Sequence, residues 1–448
     1  MKKLALFLAL CLCLTALTCC FTSCQKEESK GGSMEAEADK EFSFLFAGLD
    51  PSDLSHPASQ AMKKFQEDTG RTIQFSTVNY GDTDQKLTAA ITSGNPYDVI
   101  HAGADNFPHK AIIGYTQDIT PYCDIKRPSM DENLMKSLFS YQGGIHGASP
   151  KDCAKPFVIF FNEDMFVNEG LATPKELYNQ GKWTFDTFKE VAMKFTKDTD
   201  GDGTLDRWGV AAWYPTAFFS GSGASVCNLD KNGRYTLNMD SNPQLLEALE
   251  LIQSAWSKDH WVGCAGDKIL ESFYQGNNAM LNDYSWSDIQ IQQEKEKGTF
   301  TFNYDVAPFP YGVTNDKKTN SCFADGFSIM AGCDAPYTAG KFLEYLTDAY
   351  VADNDQKNEK LDPEHVKLYK EMNKNIFNAT QYDSAVDKGS DLCAAITNNG
   401  MDIQQAIETF KPFYSKMVEN ANKKMANKQD EFASAMADAV DGNKSEGK

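Results

Sequence analysis

Between residues 42 and 103 the chain alternates short apolar runs with amphipathic stretches, and this alternation limits its fold more than any other feature. FSFLFAG (residues 42–48), TIQFSTV (72–78) and YDVIHAG (97–103) each have the length and composition of a buried strand. Between the first two, Ser55 and Pro57 open a helix that sets Ala58, Ala61, Met62 and Phe65 on one face, and Gly70 closes it. Between the second and third, a helix around Leu87 and Ile91 ends at Ser93-Gly94. Strand, helix, strand, helix, strand in about 60 residues is the grammar of a parallel, doubly wound α/β sheet.

Ligands of such sheets lie beyond the carboxyl ends of the strands. Those ends carry Gly48, Leu49 and Asp50, then Asn79, Tyr80, Gly81 and Asp82, then Gly103, Ala104 and Asp105. Each residue alone has a structural use, since Asp caps helices and Gly makes turns. Three strand ends with the same chemistry point to a polar ligand, with Asp50, Tyr80, Asp82 and Asp105 as candidate contacts.

The chain start reads as export. Lys2 and Lys3 precede an uncharged apolar run over residues 4–18, the n- and h-regions of a secretory signal. The run is shorter than the ~20 apolar residues that span a bilayer. FTSC, ending at Cys24, resembles a bacterial lipobox: small Ser23 precedes the cysteine, while Phe21 stands where Leu is usual, and Cys20 is the alternative acceptor. Residues 1–23 are expected to be a signal peptide, Cys24 a lipidated terminus on the outer face of the cell membrane, and residues 24–41, polar and rich in Gly, Ser, Glu and Lys, a flexible tether.

Formal net charge is −20, and the leader contributes only lysines, so the exported part is more acidic still. Such a surface argues against nucleic acid and against anionic lipid surfaces. Seven cysteines follow Cys24 (Cys123, Cys153, Cys227, Cys264, Cys322, Cys333 and Cys393) with no CxxC pair, which disfavours zinc and thioredoxin-like chemistry. Their pairing cannot be read from spacing.

DTDGDGTLD (residues 198–206) places oxygen ligands at Asp198, Asp200, Asp202, the Thr204 carbonyl and Asp206, with Gly203 where an EF-hand loop turns sharply. Position twelve is Gly209, so the bidentate Glu is absent. Four neighbouring carboxylates repel without a cation, and a structural calcium ion is expected. Aromatic residues give a further signal. Trp256 lies on the apolar face of a helix, whereas Trp213, Tyr214, Tyr284 and Trp286 follow short strands. Rings there could stack on a sugar's apolar faces; for any one of them, core packing is as good an account. No GxSxG, HExxH, GxGxxG or P-loop pattern is present. A two-carboxylate glycoside hydrolase has no fixed spacing and stays an alternative, as does a surface glycan-binding lipoprotein without transport.

At 448 residues the chain needs at least two lobes. KPFVIFFN (155–162) and NAMLN (278–282) read as strands, TFDTFKEVAMKF (184–195) and PQLLEALELIQSAW (243–256) as amphipathic helices, YDVAPFPYG (304–312) as an extended crossing, and the chain from Asp362-Pro363 to about residue 439 as helical. FQEDTGRTIQF, LTAAITSGNPYDVI, FVIFFNEDMFVNEGLATP, FYQGNNAMLNDYSW, VAPFP and FADGFSIMAG, taken in order, resemble the family 1 extracellular solute-binding proteins, the group of maltose-type sugar receptors. The chain departs from that pattern at Asp325-Gly326, where Gly-Gly is common, and over its last hundred residues. The resemblance implies a two-lobed, type II periplasmic-binding-protein-like α/β fold that holds a mono- or oligosaccharide between lobes, works as a monomer and delivers to ABC permease subunits without catalysis. Lobe one is then expected over residues 42–153 and 308–350, lobe two over 154–307 and 351–448. Crossings are expected near 149–155, 306–309 and Tyr350, with Asp325 joining the candidate ligand contacts.

Overall fold

The structure is a computed structural model describing residues 32–50, 52–103, 107–230, 232–377, 386 and 389–445, with side chains described up to residue 427 except that of Tyr80. Statements of absence below refer to these described residues.

The expected alternation is present. Strand β1 (Ser43–Ala47) pairs in parallel with β2 (Gln74–Val78) and β3 (Val99–His101). Helix α1 (Pro57–Thr69) connects β1 to β2 and ends at Gly70, whose φ of 71° lets its N–H reach the Gln66 carbonyl. Helix α2 (Thr83–Thr92) connects β2 to β3 and buries Leu87 and Ile91. A short helix α3 (His109–Ile112) follows β3.

The second sheet starts at β4 (Lys155–Asn162), buried along nearly its whole length. Helix α4 (Phe185–Phe195) is capped by Thr184 and buries Phe185, Phe188, Val191, Ala192 and Phe195, the stripe its sequence sets at helical spacing. Then come β5 (Trp208–Ala212), a hairpin of β6 (Cys227–Leu229) and β7 (Tyr235–Leu237), helix α5 (Pro243–Gln253), β8 (Val262–Ala265), β9 (Asn278–Tyr284), helix α6 (Ser287–Glu296) and β10 (Tyr304–Pro308). The order is β8-β5-β9-β4-β10. β8, β5 and β9 are parallel, while β4 runs against both β9 and β10. A two-residue strand, β11 (Cys322–Phe323), pairs with the start of β4.

The chain then returns to the first sheet. β12 (Phe327–Ile329) lies antiparallel to β3, giving the order β12-β3-β1-β2. Helix α7 (Pro336–Asn358) packs on α1, where Phe342 sets its ring edge-on to Phe42 at 5.5 Å, Phe44 at 5.1 Å and Phe65 at 5.2 Å. Such ring pairs add about 0.5–1.5 kcal/mol each beyond their buried area. Helices α8 (Pro363–Met372), α9 (Ser390–Asn399) and α10 (Ile403–Ser445) complete the chain. α10 packs on α9, α5 and β7 and also reaches α2. No helix is long and apolar enough to cross a membrane.

Three expectations change. The second crossing is at residues 322–326, not 306–309: Pro308 and Pro310 do not send the chain across, because Tyr311 accepts from Phe185 N–H and Gly312 donates to Gly221, holding this stretch on the second sheet's helices. The third crossing follows residue 358 instead of falling at Tyr350, which is buried mid-helix in α7; the break comes where Asp362-Pro363 opens α8. Residues 33–41 are not free tether. Glu37 is 8% exposed and its carboxylate caps α7 through the N–H groups of Tyr337 (3.0 Å) and Thr338 (2.7 Å).

Candidate functional site

Strand direction assembles the site. β4 leaves the first crossing, and β5 and β9 run against it, so their carboxyl ends return to the edge where the crossings lie. Tyr284 ends β9 opposite Phe157, their rings 5.1 Å apart. Tyr284 lies 4.6 Å from Trp286, and Trp286 meets Phe323 of β11 edge-on at 5.5 Å. A row of rings thus runs from the second sheet to the second crossing. Trp286 and Tyr284 are half-buried, and Tyr214 at the end of β5 is 42% exposed.

Trp213 is held differently. Its indole N–H donates to Asp283 at 2.6 Å. Asp283 is 1% exposed and also accepts from Tyr284 N–H (2.7 Å) and the Ser287 hydroxyl. Burial pushes its carboxyl up to about 6, against the pull of these hydrogen bonds. Nothing in the sequence marks Asp283 as the partner of Trp213; the parallel register of β5 and β9 brings them together.

On the first sheet the predicted residues diverge. Asp50 is exposed, and its carboxylate accepts from both the N–H and hydroxyl of Ser52 at 2.8 Å, a turn-forming use that holds its pKa down. Asp82 is exposed at the start of α2, 3.4 Å from the Asn79 amide. Tyr80 lies in the single turn Tyr80–Asp82. Asp105 lies outside the described residues. Asp325 is at the centre of the crossings, its Oδ1 2.8 Å from His101 Nε2 at the end of β3.

Around Asp325 lies a cavity of about 280 Å³, bounded by Phe46 to Gly48, His56, His101, Lys155, Tyr350, Asp353, Asn354 and Lys357. Lys155 donates to Asn354 Oδ1 at 2.6 Å, and the Asn354 amide donates to the Asp152 carbonyl at 3.1 Å, so the first crossing is tied to the end of α7. Sequence reading missed Lys155, His101 and Asn354. The one available signal was a lysine opening an otherwise apolar strand. A second cavity, about 420 Å³, lies between Ile112 of α3, the Gly233-Arg234 turn of the β6–β7 hairpin and the Asn422 and Met425 stretch of α10.

In the acidic loop, Asp198, Asp200 and Asp206 bring carboxylate oxygens within 4.8 Å of one another. Asp202 is outside this group and accepts from Thr204 N–H at 2.7 Å. Asp198 accepts from the N–H groups of Gly201 (2.6 Å) and Gly203 (2.7 Å), whose φ values of 80° and 91° give the sharp turn. The all-oxygen donor set fits a hard cation.

Residues 52–352 match the model of the bacterial extracellular solute-binding protein family. No characterised protein sequence matches the chain significantly. Among solved structures, an ABC substrate-binding protein from Listeria monocytogenes in complex with cycloalternan aligns at 18% identity and TM-score 0.62, over 86% of this chain and 98% of its own. The GacH receptor of Streptomyces glaucescens, solved with acarbose, gives 16% and 0.62 over 85% and 99%. A solute-binding protein from Thermotoga lettingae bound to α-D-tagatose gives 18% and 0.60 over 86% and 100%. At these identities the likeness is one of fold, two α/β lobes joined by crossing segments. Since the family match spans more than half of its length, the chain belongs to the bacterial extracellular solute-binding proteins.

Proposed function

We propose that this protein is the carbohydrate receptor of an ABC importer, lipid-anchored through Cys24 outside the cell membrane, and that it takes its ligand between the lobes as a monomer. The observation that carries the reading is that one crossing segment holds both kinds of group: Phe323, which ends the ring row of Tyr284 and Trp286, and, two residues on, Asp325, which lines the polar cavity. A sugar has C–H faces that favour rings and hydroxyls that need hydrogen-bonding partners. A ligand touching both lobes favours closure because it gains contacts that the open form lacks. The structural relatives named above are bound to cycloalternan, acarbose and tagatose, which supports the same ligand class here. Family members are binding proteins, and no catalytic step is proposed. A structural calcium ion in the loop over residues 198–206 completes the reading.

Trp286→Ala tests it by calorimetry. Losing a large half-buried ring from the binding edge should weaken carbohydrate binding by roughly 1–3 kcal/mol while the fold persists. Unfolding of this variant, with no sugar bound by the unaltered protein, would assign Trp286 to packing and remove the main support for a carbohydrate.

A further inference from the structure

We propose that the cavity at the crossings is a subsite for one uncharged polyhydroxyl ring, with Lys155 and Asp325 as its specificity-determining pair. This rests on the carbohydrate reading above and narrows it to a chemical class.

Position is the first argument. Lys155 belongs to the first crossing, Asp325 to the second, and Asn354 to the end of α7 just before the third, while Phe46 and His101 end strands of the first sheet. A group held there touches the first two crossings and the end of the helix that leads into the third. The volume, about 280 Å³, lies just below the ~300 Å³ lower end of small-molecule clefts, so it suits one ring of a ligand better than several.

Unspent hydrogen-bonding capacity is the second. An ammonium has three donors. Lys155 uses one on Asn354 and, among the described residues, makes no ion pair, although burial pushes its pKa down. Asp325 gives one carboxylate oxygen to His101 and has no hydrogen bond on the other. Asp353 likewise gives one oxygen to Lys357, at 2.7 Å. His56 Nδ1 accepts from Ala58 N–H at 3.2 Å, so its Nε2 carries the proton and is a donor. The cavity therefore presents donors and acceptors together. A hydroxyl is the group that uses both, accepting from Lys155 while donating to Asp325.

Charge is the third. Lys155 and Lys357 balance Asp325 and Asp353, so a neutral ligand leaves the cavity neutral, whereas a uronate or an amino sugar leaves an unbalanced charge in a partly desolvated place. The walls carry rings as well: Phe46 stacks on His101 at 4.0 Å, and His56, the one of these rings that is only half-buried, stands edge-on to Tyr350 at 6.0 Å.

The test is calorimetry on the full exported chain with three neutral probes, maltotriose, mannotriose and D-tagatose, each beside glucuronate and glucosamine. The wild type should bind at least one neutral probe and discriminate against both charged sugars. Lys155→Met and Asp325→Asn should each weaken the neutral probe by roughly tenfold or more, the scale of a lost hydrogen bond to a charged group. The double variant should lose little beyond either single one, because both groups hold the same hydroxyl. Asp325→Asn should also shrink the discrimination against glucuronate, which a purely structural role would leave unmoved. Lys155→Gln, which keeps a donor toward Asn354, serves if the Met variant does not fold. Unchanged affinity in folded variants, or preference for a charged sugar in the wild type, overturns the subsite. If the subsite fails while neutral probes bind the wild type and Trp286→Ala weakens them, the carbohydrate reading stands alone. If no saccharide binds the wild type, both fall.

Discussion

At the scale of single residues, the same side chain reads differently in sequence and in the fold. Of the four carboxylates that spacing assigned to one ion, Asp198, Asp200 and Asp206 converge, because two glycines at positive φ fold the loop back on itself, whereas Asp202 accepts from Thr204 N–H outside the group. If calcium holds them, chelation with EDTA should lower the melting temperature, and Asp200→Ala with Asp206→Ala should abolish that response. A melting curve indifferent to chelator would contradict the ion. Tyr284 and Trp286 were legible as rings following a strand, and they do reach the crossing edge. Trp213 had the same signature, yet its indole N–H is committed to a buried carboxylate that only strand register supplies. Lys155 and His101 carried almost no signal, since each owes its place to partners about 200 residues away, Asn354 and Asp325.

Elements were easier to read than their connections. The strands and helices around Phe44, Phe65, Phe161 and Phe188 follow local periodicity and stand where expected. Pro308 and Pro310 looked like a crossing because prolines end strands, but the backbone bonds of Tyr311 and Gly312 to distant partners keep that stretch on the second sheet. Helix α8 shows how a late element is secured. His365 is buried, with Nδ1 2.9 Å from Asp288 of α6 and Nε2 3.0 Å from Asp305 of β10. Burial alone would lower its pKa, but the two carboxylates overcome it and raise the imidazole to about 9. An imidazole whose folded pKa lies above its unfolded one stabilises fully below the unfolded value of about 6.5. That stabilisation is lost as pH rises through about 9. Melting temperature should therefore decline between these limits, and His365→Ala should cost about 3 kcal/mol and flatten the decline. A wild-type profile already flat over that range would contradict the pairing.

At the scale of the whole molecule, the structure pairs the two lobes expected from the sequence, while the anchor proposed at Cys24 lies outside the described residues. Since Glu37 fixes residues 33–41 to α7, only residues 24–32 separate the lobe from Cys24, a reach of at most roughly 30 Å. Cys24→Ala should shift the protein from the membrane fraction to the soluble one. Retention of that variant, with release by Cys20→Ala, would move the anchor to Cys20. The C-terminal helices departed from the family pattern in sequence, and α10 spans both lobes by packing on β7 and α2, a contact no local periodicity encodes. What the two lobes enclose is the central claim, and ligand-dependent stability tests it most directly. Mature protein should be melted against a panel of neutral mono- and oligosaccharides, with amino acids and polyamines as other solute classes. A ligand at a hundred times its dissociation constant adds about 2.7 kcal/mol, so at least one saccharide should raise the melting temperature by several degrees, whereas a rise with another solute class and with no saccharide would contradict the account.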